Sequence, residues 1–336
     1  MAEVREVDVG TFVELTRSPG IVDELSQTHG TAALVVRLEG GAAPAAAGDV
    51  AGLPCVLIGV GACGPDLAAS FDIVVGNNDE LTGVLATIEA NPLASVSLAM
   101  LLRDSERRSV GEGLLAESAV YSLLQAGPEF ARWLAARKPH TRPPESEPAV
   151  LIDRDDATLR LTLNRPHVHN AFNTRLRDEL IAGLEVAAAD DTIRRVEIDG
   201  AGPSFCSGGD LDEFGTFPDP ATAHVIRLTR SAGRLVASLA DRVTVHLHGA
   251  CIGAGIEVPA FAGRVVAAAD TVIALPEVGL GLVPGAGGTV SLPRRIGRRR
   301  TAWLALSGER IDAGTALAWG LVDEVRTGSG RADVVG

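Results

Sequence analysis

The chain of 336 residues predicts an α/β fold with a mainly parallel sheet. Two observations carry this expectation. Short strand-like runs such as Leu159–Leu163, Val196–Ile198, Val243–Leu247 and Arg264–Ala268 alternate with longer stretches whose apolar residues recur at helical spacing. Such alternation is the mark of strands joined by crossover helices. Glycine-rich turns, drawn from 38 glycines, separate strands from helices in the second half. This length can bury a large core and has room for two domains.

Composition narrows the function. A net charge of −13 argues against a nucleic-acid partner. The four cysteines (Cys55, Cys63, Cys206, Cys251) form no C-x-x-C pair, so a reducing, cytoplasmic setting is expected. The N-terminal MAEVREVDVG lacks the apolar core of a signal peptide, and no run of about 18 apolar residues offers a membrane span.

In chain order, residues 1–70 read as a small α/β unit of unknown role. Its strand-like runs are Ala33–Leu38 and Cys55–Val60, with an irregular Gly/Ala/Pro linker from Gly40 to Gly52 between them. Phe71–Val75 reads as a further strand. Asn77 to Glu80 offers caps for a helix carrying Leu81, Val84, Leu85 and Ile88 on one face. Pro92 to Leu102, Glu112 to Gln125 and Pro128 to Arg137 complete a helical segment whose Leu114, Leu115, Leu123 and Leu124 need an apolar partner. A Pro-rich linker, centred on residues 143–149, leads to residues 150–336. There Asn173 or Thr174 caps a helix with Leu176, Leu180, Ile181, Leu184 and Ala188 on one face. Ala221 to Leu239 reads as one helix, Ile252 onward as another, and residues 301–319 as a third.

Two acids stand out. Glu257 follows the turn Gly253-Ala254-Gly255, and Glu277 opens a glycine-rich run ending at Thr289. A carboxylate in apolar company costs several kcal/mol to ionise, on the order of 2–7 for an unpaired polar group. Either acid alone could cap a helix or pair with a buried arginine. Two of them beside glycine turns suggest one acid–base pocket. Consecutive glycines at Gly208-Gly209, and the turn at Gly253-Ala254, let backbone N–H groups face a ligand oxygen. Two such donors and two carboxylates suit acid–base chemistry on a carbonyl compound.

Other patterns weigh less. Gly253-Ala254-Gly255-Ile256-Glu257-Val258 lacks the last glycine of a dinucleotide fingerprint, and Gly285–Thr289 lacks the lysine of a P-loop. His246 and His248 share a strand face but have no third ligand, so no metal is expected. Cys206 and Cys251 have no activating histidine nearby and read as core. The run Arg294 to Arg300 reads as a solvated face or a contact for a phosphate-bearing substrate.

At this point the residues resemble a known family. Leu163-Asn164-Arg165-Pro166 with Asn170-Ala171-Phe172-Asn173, then Phe205–Leu211, Gly249–Glu257 and Pro276–Thr289, resemble the signatures of the enoyl-CoA hydratase/isomerase (crotonase) family. The resemblance implies a crotonase-like ββα spiral, with the first residues as an N-terminal α/β extension. It places the oxyanion donors on the N–H groups of Gly209 and Ala254 and the two catalytic acids on Glu257 and Glu277. It also sets coenzyme A against His169, Asn170, Ala171 and Gly208, with Lys138 near its phosphates. The implied reaction is hydration of an enoyl-CoA. Isomerisation, thioester hydrolysis or a non-catalytic CoA-binding or assembly role are the alternatives. No cofactor is implied beyond the coenzyme A of the substrate, and the expected assembly is a homo-oligomer, a trimer or hexamer. Ala254 stands where the family favours glycine, and Gly263 where Asp is common. Relatives continue past Leu321–Val325 into helices with a basic F-x-x-x-x-x-R-K-P tail. Phe130 to Pro139 is similar to that tail, so residues 71–142 are expected to be those helices moved to the front.

Overall fold

The computed structural model describes residues 3–38, 48–138, 145–216 and 219–326. The first sheet has four parallel strands in the order β1 (Glu3–Asp8), β2 (Thr31–Arg37), β3 (Val56–Val60), β4 (Ile73–Val75). Three short helices, α1 (Val9–Leu15), α2 (Ile21–Glu24) and α3 (Pro65–Ala68), join these strands. The boundary expected at residues 70/71 therefore falls inside one sheet. One face of that sheet packs on Phe12, Leu25, Leu53 and Phe71 as a core of its own. The other face, with Val35, Val56, Ile58 and Ile73, joins the main core. Most of the Gly40–Gly52 linker lies outside the described residues, as does residue 139 to 144 of the Pro-rich one.

Four helices follow: α4 (Asn78–Ala90), α5 (Pro92–Arg103), α6 (Val110–Gln125) and α7 (Pro128–Ala136). Asn77 caps α4, its Oδ1 accepting from the N–H groups of Asp79 and Glu80 at 2.9 and 3.0 Å. Ser109 and Glu112 close a capping box on α6. Leu81, Val84 and Ile88 are buried as expected. On α6 only Leu114 and Leu124 are inside; Leu115 and Leu123 are 50% and 69% exposed, because the buried stripe runs through Leu114, Glu117, Ser118 and Tyr121 instead. No single helix among the described residues is long and apolar enough to cross a membrane.

The second sheet has six strands in the order β13-β10-β8-β7-β6-β5. They are β5 (Val150–Asp155), β6 (Thr158–Leu163), β7 (Arg195–Gly200), β8 (Val243–Leu247), β10 (Arg264–Ala268) and β13 (Glu324–Arg326). All neighbours are parallel except β5 with β6. Alternate burial of Leu159, Leu161 and Leu163 sets the register of β6. Helix α8 (Thr174–Ala189), capped by Asn173, covers this sheet, with Ala187 rather than Ala188 completing its buried face. A small third sheet joins β9 (Ala250–Ile252), β11 (Val272–Ala274) and β12 (Ile311–Asp312).

Three helix expectations need correction. Ala221–Leu239 is two helices, α9 (Pro220–Thr229) and α10 (Ala232–Ser238), because Ser231 turns its hydroxyl onto the N–H of Arg234 and restarts the helix. Ile252 belongs to β9, and only the single turn α11 (Ala254–Glu257) follows before Pro259. Helix α12 (Gly288–Ser307) begins well before residue 301, bends at Gly297 (φ 77°) and stops at Gly308 (φ 70°); α13 (Ala313–Trp319) is separate. Helices α4, α5 and α6 all pack on α12. The basic run is a solvated face only in part, with Arg294, Arg299 and Arg300 exposed and Arg295 and Arg298 turned inward. Arg295 binds the Ala260 carbonyl and Asp323, Arg298 the Phe71 carbonyl, and Arg300 stacks on Trp319.

Candidate active site

A cleft opens where α6, α8, α9, α11 and the Gly285–Gly287 turn meet. Glu257 and Glu277 both line it, although 20 positions apart in the chain. They converge on one glycine. Gly253 sits at φ 50° and ψ −120°, and a Cβ there would fall 2.2 Å from Glu277 Oε1 and 3.7 Å from Glu257 Oε1. Any side chain at 253 would therefore push into the acid pair, on a backbone that already disfavours it.

The two acids differ in their partners. Glu257 Oε2 accepts from the N–H groups of Ala286 and Gly288 at 2.7 and 2.9 Å. Glu277 Oε2 is cut off from solvent and has no hydrogen-bond partner among the described residues. Burial raises the pKa of both. For Glu257 the amide bonds pull back the other way, while for Glu277 the nearby Glu257 charge adds to the rise. Glu257 is thus the group built to carry charge, and Glu277 the one built to hold a proton.

A third acid completes the cluster. Glu117 on α6 is 2% exposed and lines the same cleft. Its Oε1 accepts from Gly287 N at 2.8 Å, and its Oε2 from Thr289 N at 2.9 Å and Thr289 Oγ1 at 2.7 Å. The consecutive amides of Ala286, Gly287, Gly288 and Thr289 thus bind Glu257 and Glu117 in alternation, at the N-terminal end of α12. Burial, then the Glu257 charge, raises the Glu117 pKa. Sequence reasoning missed this residue. The available signal was one acid on the apolar stripe of Leu114, Ser118 and Tyr121.

The donor turns lie on the same cleft. Gly209 and Ala254 both line it, and neither N–H has a protein acceptor among the described residues. A parallel bridge between Cys206 and Cys251 holds the two turns together, and another between Phe172 and Gly209 ties the first turn to the segment before α8. Buried Arg165 braces them further, binding Asp210 at 3.1 Å, Glu145 at 2.7 Å and the Ala171 carbonyl. Gly208 (φ 97°) faces the Ile252 carbonyl, which a Cβ would approach to 3.0 Å.

The residues expected against coenzyme A are split. His169 is exposed, with its Nδ1 2.9 Å from Ser204 Oγ. Asn170 is 0% exposed and cannot touch a ligand: Oδ1 accepts from Arg165 N and Nδ2 donates to the carbonyls of Ala201 and Ser204. Its work is to hold the turn. Ala171 is 8% exposed. Lys138 is exposed beside Arg137, which binds Asp212 at 3.0 Å and so lies close behind the Gly209 turn. His246 is half-buried, with its pKa lowered by burial, and the described residues contain no metal-binding cluster. Burial pushes the Cys206 thiol up to about 12, as suits a core residue.

Residues 153–329, more than half of the chain, match the sequence profile of the enoyl-CoA hydratase/isomerase family, and the chain belongs to that family. It is 38% identical over 176 residues to the 2,3-dehydroadipyl-CoA hydratase of Escherichia coli, covering 52% of this chain and 68% of that one. It is 35% identical to the 1,2-epoxyphenylacetyl-CoA isomerase of the same organism, with 52% and 69% covered. Among solved structures, enoyl-CoA hydratase from Thermoplasma volcanium GSS1 superposes with a TM-score of 0.50 at 35% identity, over 54% of this chain and 72% of that one. The fold is the crotonase-like spiral with an N-terminal α/β extension.

Proposed function

We propose that the protein is an enoyl-CoA hydratase, adding water reversibly across the 2,3 double bond of an acyl-CoA thioester. The observation that carries this reading is the convergence of Glu257 and Glu277 at Gly253, beside two backbone N–H groups without protein acceptors among the described residues. The thioester oxygen accepts from Gly209 N–H and Ala254 N–H, which stabilises the enolate charge in the transition state. Glu257, whose charged form two amides favour against the effect of burial, takes a proton from water as the hydroxyl adds to C3. Glu277 delivers its proton to C2. Dehydration runs the same steps backwards.

Turnover of crotonyl-CoA, followed by loss of absorbance at the conjugated thioester with identification of a 3-hydroxyacyl product, tests the reading. A shifted double bond without water uptake would make it an isomerase, and free coenzyme A a hydrolase. No turnover with intact CoA binding would make it a non-catalytic subunit. Replacing Gly209 by Pro, which removes the N–H, should cost about a hundredfold or more in kcat, whereas Ala254→Gly keeps its N–H and should stay close to the parent. Equal losses would point to general disruption.

The exposed Lys138 suits a coenzyme A phosphate, and a homo-oligomer in the cytoplasm accords with the reading. We also place residues 71–138 where relatives keep their closing helices, since α6 supplies Glu117 and three of the helices pack on α12.

A further inference from the structure

Arg227 and Arg230 stand one turn apart at the end of α9, and both line the cleft. Arg227 is half-buried. Its Nε donates to Ser118 Oγ at 3.2 Å, Nη1 to Gln125 Oε1 at 3.1 Å and Nη2 to Ser122 Oγ, and the guanidinium lies 4.5 Å above the Tyr121 ring. Every one of these partners is neutral. A guanidinium has five N–H donors, so two on Arg227 remain uncommitted. No carboxylate lies within ion-pair distance of it among the described residues; burial pulls its pKa down, and the more distant charge of Glu117 pulls it part of the way back. The side chain of Arg230 is exposed and has no hydrogen-bond or ion-pair partner among them.

Among the described residues the cleft's other charged groups make no direct bond to this pair. Arg177 is taken by Asp178 at 2.9 Å. Glu213 accepts from Thr174 N and Thr174 Oγ1. Glu257 and Glu117 are bound to the Ala286–Thr289 amides, and Glu277 sits against Gly253. A partly desolvated cation whose direct partners are all neutral is well suited to a ligand anion, above all a planar carboxylate that matches the guanidinium fork. Linking α6 to α9 accounts for the neutral bonds of Arg227 but for nothing at Arg230. On the enoyl-CoA reading, which sets coenzyme A against His169 and Lys138, its phosphates are not the anion expected here, because neither residue lines this cleft.

We propose that Arg227 and Arg230 form a subsite for a carboxylate at the far end of the acyl chain, so that the substrate class is an enoyl-CoA with an acidic tail. The subsite rests on the enoyl-CoA reading of the same cleft. The test compares kcat/KM for a six-carbon trans-2-enoyl-CoA ending in a methyl group with its equal-length counterpart ending in a carboxylate. The full-length protein should favour the acid by at least about tenfold, since a site built for a polar group discriminates strongly against its absence. Arg230→Gln, on an exposed side chain, should bring that ratio close to one, as should Arg227→Gln, with Arg227→Lys intermediate. A parent ratio near one, or variants that raise KM equally for both substrates as a coenzyme A phosphate contact would, overturns the subsite and leaves the hydratase reading standing. Calorimetric binding of the saturated six-carbon pair separates the remaining case. Tighter, Arg230-dependent binding of the acid without turnover of either enoyl-CoA would support the subsite and reject the hydratase reading.

Discussion

Glu277→Gln should lower kcat for enoyl-CoA hydration by at least about a hundredfold, the usual worth of a positioned general acid. The amide cannot deliver a proton to C2, yet it fills the same space against Gly253. Glu257→Gln should cost as much for the opposite reason. Its amide oxygen can still accept from the N–H groups of Ala286 and Gly288, which share one oxygen of Glu257, but cannot take a proton from water. Binding of a saturated acyl-CoA should survive in both, because the carbonyl donors are backbone groups. Near-parent turnover in either variant removes that residue from its role. The parent profile should fall on the acid side as Glu257 becomes protonated and on the alkaline side as Glu277 loses its proton; Glu277→Gln should abolish the alkaline limb of whatever activity remains. Stability should follow the same groups. Glu117, Glu257 and Glu277 hold protons more tightly folded than the ordinary carboxylate value of 4.5. Their contribution is fully present below that value and is lost as pH rises through the raised ones. Denaturant midpoints from pH 5 to 9 check the slope, which Glu117→Gln should flatten.

The second large effect concerns the front of the chain. A polypeptide beginning at Val150 should fail to form an active, monodisperse protein. It loses α6 and with it Glu117, the acceptor that holds the N–H groups of Gly287 and Thr289 and the Thr289 hydroxyl in place. It also strips Tyr121 from Gly285, where a Cβ would come within 2.4 Å of the ring, and Phe130 from Gly281. The faces of α12 that pack on α4, α5 and α6 become exposed apolar surface. Glu117→Ala in the intact chain is the local version and should destabilise by several kcal/mol, on the order of 3–5 for a broken buried network. Size-exclusion profiles, thermal melts and turnover decide the matter. A well-folded, fully active 150–336 fragment would show that the first half is an appendage and would end the idea of displaced helices.

Much of the site could be read from the chain itself. The turns at Gly208-Gly209 and Gly253-Ala254 and the acids Glu257 and Glu277 are local motifs, and local motifs carry their own conformational demands. Gly253 needs its left-handed backbone whatever surrounds it. The strand Arg264–Ala268 and the caps at Asn77 and Asn173 were legible for the same reason: alternation and capping depend on neighbours in sequence. Edge strand β5 was not, because its exposed, polar run Ile152-Asp153-Arg154-Asp155 has no burial pattern to betray it. The breaks at Ser231 and Gly308 were missed because the apolar period runs through them, while caps and left-handed glycines end the helices.

What only the tertiary structure decided is the company each group keeps. Glu117 is 140 residues before Glu257 in the chain, and nothing local to α6 says that its carboxylate alternates with Glu257 along four amides. Arg227 gives no sign in sequence that its hydrogen-bond partners are all neutral. Arg294–Arg300 reads as one charged surface, but Arg295, Arg298 and Arg300 meet carbonyls and a ring from distant segments. The sequence by itself determined the α/β class, the glycine turns and the acid pair, since backbone preference and periodicity act over a few residues. Desolvation and pairing act through space, so the charge state of the acids, the clamp on their loop and the cationic end of the cleft were settled only when the chain was folded.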